Sequence, residues 1–126
     1  MSAGNAAALM VVERTLLVQL NPELTDNAVR ELRDAVGRKL EAEALRGVVL
    51  DLASVDTMDS YITRCIRDLA ISARLMGVPT IVCGVQPPVA DTLVEMGLDL
   101  GEVQTVLNLD TALRVLREAR RAPSGT

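Results

Sequence analysis

The chain predicts an α/β domain whose mixed, mostly parallel sheet of about five strands is packed with about four helices. Two observations lead there. "GVVLDL" (47–52) and "VPTIVCGV" (78–85) are nearly unbroken aliphatic and β-branched runs, as strands covered on both faces require. They alternate with stretches whose apolar residues recur every three or four positions, the period of a helix buried on one side. The core must be aliphatic: 49% of the 126 residues are hydrophobic, yet there is no Phe or Trp and one Tyr. A chain of this length is one domain with room for a proper core. Its expected bounds are 9–120, with a flexible N-terminus over 1–8 and a flexible tail over 121–126.

In chain order, "LMVV" (9–12) and "TLLVQL" (15–20) read as strands joined at Glu13-Arg14, a turn without Asn-Gly chemistry. "NPELT" (21–25) breaks the pattern, and Thr25 or Asp26 can cap a helix carrying Val29, Leu32, Val36 and Leu40. The strand 47–52 leads through "VDTMDSYITR" (55–64) into a helix with Ile62, Ile66, Leu69, Ala70, Ala73 and Met76 on one stripe. Gly77 suits the position just past its end. After the strand 78–85, "QPPVADTLVEMG" opens on prolines, where a missing N–H costs nothing, and closes on Gly97. A weak strand near Val103–Leu107 precedes a last helix whose Leu109, Ala112, Leu113 and Leu116 face inward. The order β-β-α-β-α-β-α-β-α implies parallel strands with right-handed crossovers.

Composition excludes several functions. A formal charge of −4 and the want of aromatic rings argue against nucleic acid, which needs cationic grooves and stacking platforms. No apolar run nears the ~18 residues that a membrane span needs. The N-terminus lacks the basic start of a signal peptide. Cys65 and Cys83 lie in apolar surroundings without a CxxC, so two buried thiols in a reducing cytoplasm are expected. Histidine is absent, and with it the commonest general base and metal ligand.

The segment 51–64 is where chemistry would lie, because α/β sheets place ligands at the carboxyl ends of their strands. Asp51, Asp56 and Asp59 could together hold Mg²⁺, as in a receiver-like phosphoaspartyl domain. That reading wants an acidic pair after the first strand and a late lysine. Here Asn21-Pro22 follows "TLLVQL", and the one lysine, Lys39, is on the first helix. A nucleophilic Ser60 would need a base, and neither histidine nor a nearby lysine supplies one. No catalytic residue, metal or cofactor is expected. Asp59 or Ser60 serves as a helix cap, and a serine at that point is also open to phosphorylation, which would add roughly −1.5 to −2 charge beside Asp56 and Asp59.

"VVLDLASVDTMDSYITRCIRDLA" (48–70) resembles the phosphoacceptor segment of STAS domains, the sulphate-transporter and anti-sigma-factor-antagonist family. In that family a buried strand ends near an Asp, and the next helix begins with Ser or Thr in an Asp-Ser step. "GVQPPVADTLVEMG" (84–97) and "LNLDTAL" (107–113) are similar to the small scaffold subunit of bacterial stressosomes within it. The resemblance runs from about Leu9 to Leu116 and implies a non-enzymatic cytoplasmic switch. With the resemblance starting at about Leu9, no sensor domain is expected at the N-terminus. It implies co-assembly with a sensor-bearing STAS paralogue, capture of a GHKL-type serine/threonine kinase, and release on phosphorylation of Ser60, reset by a cognate phosphatase. The output would be a general stress or sigma-factor response. A homo-oligomer or dimer is expected, with neither nucleic acid nor membrane as partner. Asp56, Thr57, Met58, Asp59, Tyr61 and Arg64 are the expected kinase-recognition surface; Thr57 and Thr63 are alternative acceptors. Core packing competes as the role of Met58. Arg64 and Arg67 depart from the family pattern by adding positive charge after Ser60. A free-standing antagonist that binds an anti-sigma kinase without any particle is the alternative.

Overall fold

The computed structural model describes residues 2–3, 7–95 and 103–121. The strands are β1 (Ser2–Ala3), β2 (Ala7–Val12), β3 (Thr15–Leu20), β4 (Gly47–Asp51), β5 (Thr80–Cys83) and β6 (Gln104–Val106). The helices are α1 (Asp26–Ala42), α2 (Ser60–Leu75), α3 (Pro87–Glu95) and α4 (Leu109–Arg121). The six strands form one sheet in sequential order. β1, β2 and β3 pair antiparallel, and β3 through β6 pair parallel. The mixed, mostly parallel sheet and its four helices match the expected class.

The unbroken apolar runs are explained by alternation into two cores. Val48 and Leu50 of β4 join Leu16, Val18 and Val82 in a large cluster with α1, α2 and Val89 of α3. Val49 points the other way and joins Leu17, Ile81 and Cys83 beneath Ala112 and Leu116 of α4. Both faces are covered at β4 and β5, so neither strand has a polar side. Gly47 admits α4 closely, for a Cβ there would lie 2.8 Å from a Leu116 methyl.

Local signals held where the chemistry is strong. Thr25 Oγ1 accepts from Ala28 N at 3.1 Å and caps α1. α2 ends in a Schellman motif: Val78 N donates to Ala73 O, Gly77 N to Arg74 O, and Gly77 has φ +83°. The hairpin forms even though its turn lacks Asn-Gly. Glu13 and Arg14 both take positive φ, 51° and 63°, as a two-residue type I′ turn demands.

Several boundaries differ from expectation, and β5 is shorter than the expected 78–85. Ser2–Ala3 and Ala7–Ala8, expected to be loose, pair within the sheet, and Ala7 is buried. β6 stops at Val106, leaving Leu107 83% exposed. α4 continues through Arg121, one residue past the expected bound. Gly97 and the tail 122–126 lie outside the described residues.

Candidate functional site

The segment between β4 and α2 is pinned by apolar plugs. Leu52, Val55 and Met58 are buried, while Ala53, Ser54, Asp56 and Thr57 between them are exposed. Each plug removes apolar surface from water, about 1.5–3 kcal/mol for a large aliphatic side chain, and fixes where its neighbours emerge. At the head of the segment, Asp51 Oδ1 accepts from Ala53 N at 2.9 Å, and Val55 N donates to Leu52 O. The chain thus turns sharply off the strand.

Two further contacts brace this loop from the next one. Gln86 Nε2 donates to Ala53 O at 2.6 Å, and Leu52 N donates to Cys83 O. Gly84, with φ +74°, lies so near that a Cβ on it would meet Ala53 N at 2.8 Å. Gln86 and Gly84 were not singled out from the sequence. Both lie in the "GVQPPVADTLVEMG" block, whose resemblance does not reveal that they brace the loop before Ser60.

At the far end, Asp59 is the cap of α2: its Oδ1 accepts from Ile62 N at 2.8 Å. Its backbone carbonyl accepts from both Thr63 N and Thr63 Oγ1, the latter at 2.7 Å. The choice between Asp59 and Ser60 as cap therefore falls to Asp59. Ser60 is the first helical residue; it is exposed, and no partner among the described residues takes its hydroxyl. An unactivated hydroxyl of this kind is a poor nucleophile.

The expected surface divides. Asp56, Thr57, Asp59, Tyr61 and Arg64 are exposed around Ser60, and Arg67 continues the face one turn on. Met58 does not belong to it. At 8% exposure it packs in the main core, because an apolar side chain gains more from burial than a docking surface could return in the free protein. Thr63 is likewise buried with its hydroxyl spent on Asp59, so it is no alternative acceptor, whereas Thr57 stays exposed.

The three aspartates do not converge. Asp51 and Asp59 each turn an oxygen onto the backbone, and no group of three acidic or thiol side chains among the described residues could hold a metal ion. Lys39 is paired with Glu43 at 2.8 Å on α1 and supplies no Ser–Lys dyad. Cys65 and Cys83 are free and buried. Burial, with the Asp51 carboxylate beside it in register, pushes the Cys83 thiol up to about 11 and keeps it protonated. Among the described residues no helix is long and apolar enough to cross a membrane.

The chain is similar to known proteins of one family. The STAS domain family model matches residues 6–119. A serine-to-glutamate variant of Moorella thermoacetica RsbS superposes with a TM-score of 0.84 at 30% identity, covering 92% of this chain and 98% of that one. A structure described as the molecular architecture of the stressosome, a signal integration and transduction hub, gives 0.82 at 31%, covering 91% and 100%. The Bacillus subtilis RsbT co-antagonist protein RsbRD is 28% identical over 109 residues, which is 86% of this chain. The chain spans only 39% of that relative's length.

Proposed function

The chain belongs to the STAS domain family, and from that premise we propose that it is a non-enzymatic scaffold of a stressosome-type particle. In this reading it co-assembles with sensor-bearing STAS paralogues and holds a GHKL-type serine/threonine kinase. Phosphorylation of Ser60 releases the kinase into a general stress or sigma-factor response, and a cognate phosphatase resets the switch. Similarity to RsbS over nearly the whole of both chains supports the scaffold role, and similarity to RsbRD supports a paralogous partner.

The observation that carries the proposal is the division of labour between Asp59 and Ser60. Asp59 satisfies the helix start, so the Ser60 hydroxyl is exposed and costs no structure to modify. A phosphate there would place roughly −1.5 to −2 charge within a surface formed by Asp56, Thr57, Asp59, Tyr61 and Arg64. A complex fitted to a neutral hydroxyl is then weakened by like charge and by desolvation of the phosphate.

Incubation with the cognate kinase and ATP is expected to add one phosphate, mapped to Ser60 by intact mass and peptide analysis. Labelling that persists at the same level in Ser60→Ala would overturn the site. Size-exclusion chromatography with a sensor-bearing paralogue is expected to give a very large complex. Failure to co-elute would leave a free-standing antagonist instead.

A further inference from the structure

The pole of the sheet opposite Ser60 holds a second candidate site. A cavity of about 400 Å³ opens at the amino end of β5. β4 and β5 are parallel, and Ser60 follows the carboxyl end of β4, so the two sites face opposite ways. The cavity arises from a step in the sheet. β6 pairs only from Ile81 onward, which leaves Pro79 and Thr80 beyond its reach. Ala70 and Arg74 of α2 form one wall; Val115, Leu116 and Ala119 of α4 form the other.

Three features give the cavity a chemistry. Its size falls in the range of small-molecule pockets, and most of its lining is aliphatic. Among the described residues its polar side chains are Arg74, Thr80 and Gln104, none of them a carboxylate. Thr80 is 93% buried by its 7% exposure, and its Oγ1 is the buried side-chain polar atom that has no hydrogen-bond partner among the described residues. A buried hydroxyl without a partner is rare enough to require a reason. Thr80 lines the cavity, and rotation about χ1 exchanges its hydroxyl with a methyl of nearly equal size. Arg74 already makes an interaction, and its guanidinium carries five donors, enough for more than one partner.

We propose that this cavity binds an amphipathic carboxylate of medium chain length. The apolar tail lies against Ile81, Val115 and Leu116, and the carboxylate accepts from Thr80 Oγ1 and Arg74. The site stands apart from the Ser60 surface and does not depend on the function proposed there.

Sodium octanoate is the probe, titrated into the full chain while backbone amide signals are followed by NMR. Saturable shifts are expected at Thr80, Ile81 and along 115–119. Acetate (the anion without a tail) should leave them unmoved, and octanol (the tail without an anion) should bind about tenfold more weakly. Thr80→Val keeps the shape and suits a strand, so it should fold and weaken octanoate about five- to tenfold. Ala119→Leu, at an exposed helical position, should fill the cavity and abolish binding. No saturable shift up to about 10 mM, equal binding of octanol, or unchanged affinity in both variants would overturn the site.

Discussion

Gly84 lies against Ala53, with room for a hydrogen but not for a methyl: a Cβ at position 84 would sit 2.8 Å from Ala53 N and 3.0 Å from Ala53 Cα. These two residues join the loops that leave β5 and β4, and the Ala53 loop is the one that delivers Ser60. The obstructing atoms are backbone, so they cannot rotate aside. Gly84 also has φ +74°, a conformation that disfavours any side chain.

Gly84→Ala is therefore expected to destabilise by about 2–4 kcal/mol, combining left-handed strain with the clash. Urea unfolding measures it. Gln86→Ala, which removes only the bond to Ala53 O, should cost about 1 kcal/mol. A Gly84→Ala loss under about 0.5 kcal/mol would mean the two loops are not braced against each other.

Neighbouring substitutions at the start of α2 should behave oppositely. Asp59→Ala removes the cap on Ile62 N and is expected to cost about 1 kcal/mol. Ser60→Ala should change stability by less than about 0.5 kcal/mol, since its hydroxyl has no partner among the described residues. Thermal unfolding of the two variants side by side decides this, and equal losses would show that Ser60 has a structural duty.

The hairpin turn is a site of spare stability. Replacing Glu13-Arg14 with Asn-Gly relieves two non-glycine residues from positive φ and should stabilise by about 1–2 kcal/mol. The change also removes the exposed Glu13–Arg117 bridge at 3.0 Å, worth about 0–1 kcal/mol, so the net gain is smaller. Arg117→Ala alone measures that part.

Cys83 predicts a pH effect in the alkaline range. Its thiol is raised to about 11, first by burial and second by Asp51, so the folded state holds this proton more tightly than the unfolded chain does. The contribution is fully present below the ordinary thiol range, near 9, and is lost as pH rises from there through about 11. Chemical denaturation at pH 8 and pH 10.5 should show wild type losing more stability than Cys83→Ala. The native thiol should also resist alkylation at neutral pH.

The sequence was most legible where one local force acts alone. Helical spacing marked α1 and α2, Gly77 marked the end of α2, and the uninterrupted runs marked β4 and β5. Met58 was harder, because an isolated methionine between Thr57 and Asp59 has no periodic partner to reveal which way it points. It is buried in one cluster with Ile66 of α2 and Val82 of β5, both supplied by other elements. The positive-φ turn at Glu13-Arg14 was hidden for a similar reason. Strand pairing on both sides forces that geometry against the residues' own preference.

By itself the sequence determined the α/β class, the aliphatic core and the candidacy of Ser60. Those follow from residue type and from spacing within about twenty positions, where backbone geometry dictates the neighbours. Tertiary structure decided which of Asp59 and Ser60 caps the helix. It also removed Met58 and Thr63 from the surface and set Gly84 and Gln86 against Ala53. The brace on Ala53 joins segments some thirty residues apart, which no local pattern encodes. The cap at Asp59 turns on which of two adjacent, equally suitable side chains reaches the Ile62 N–H.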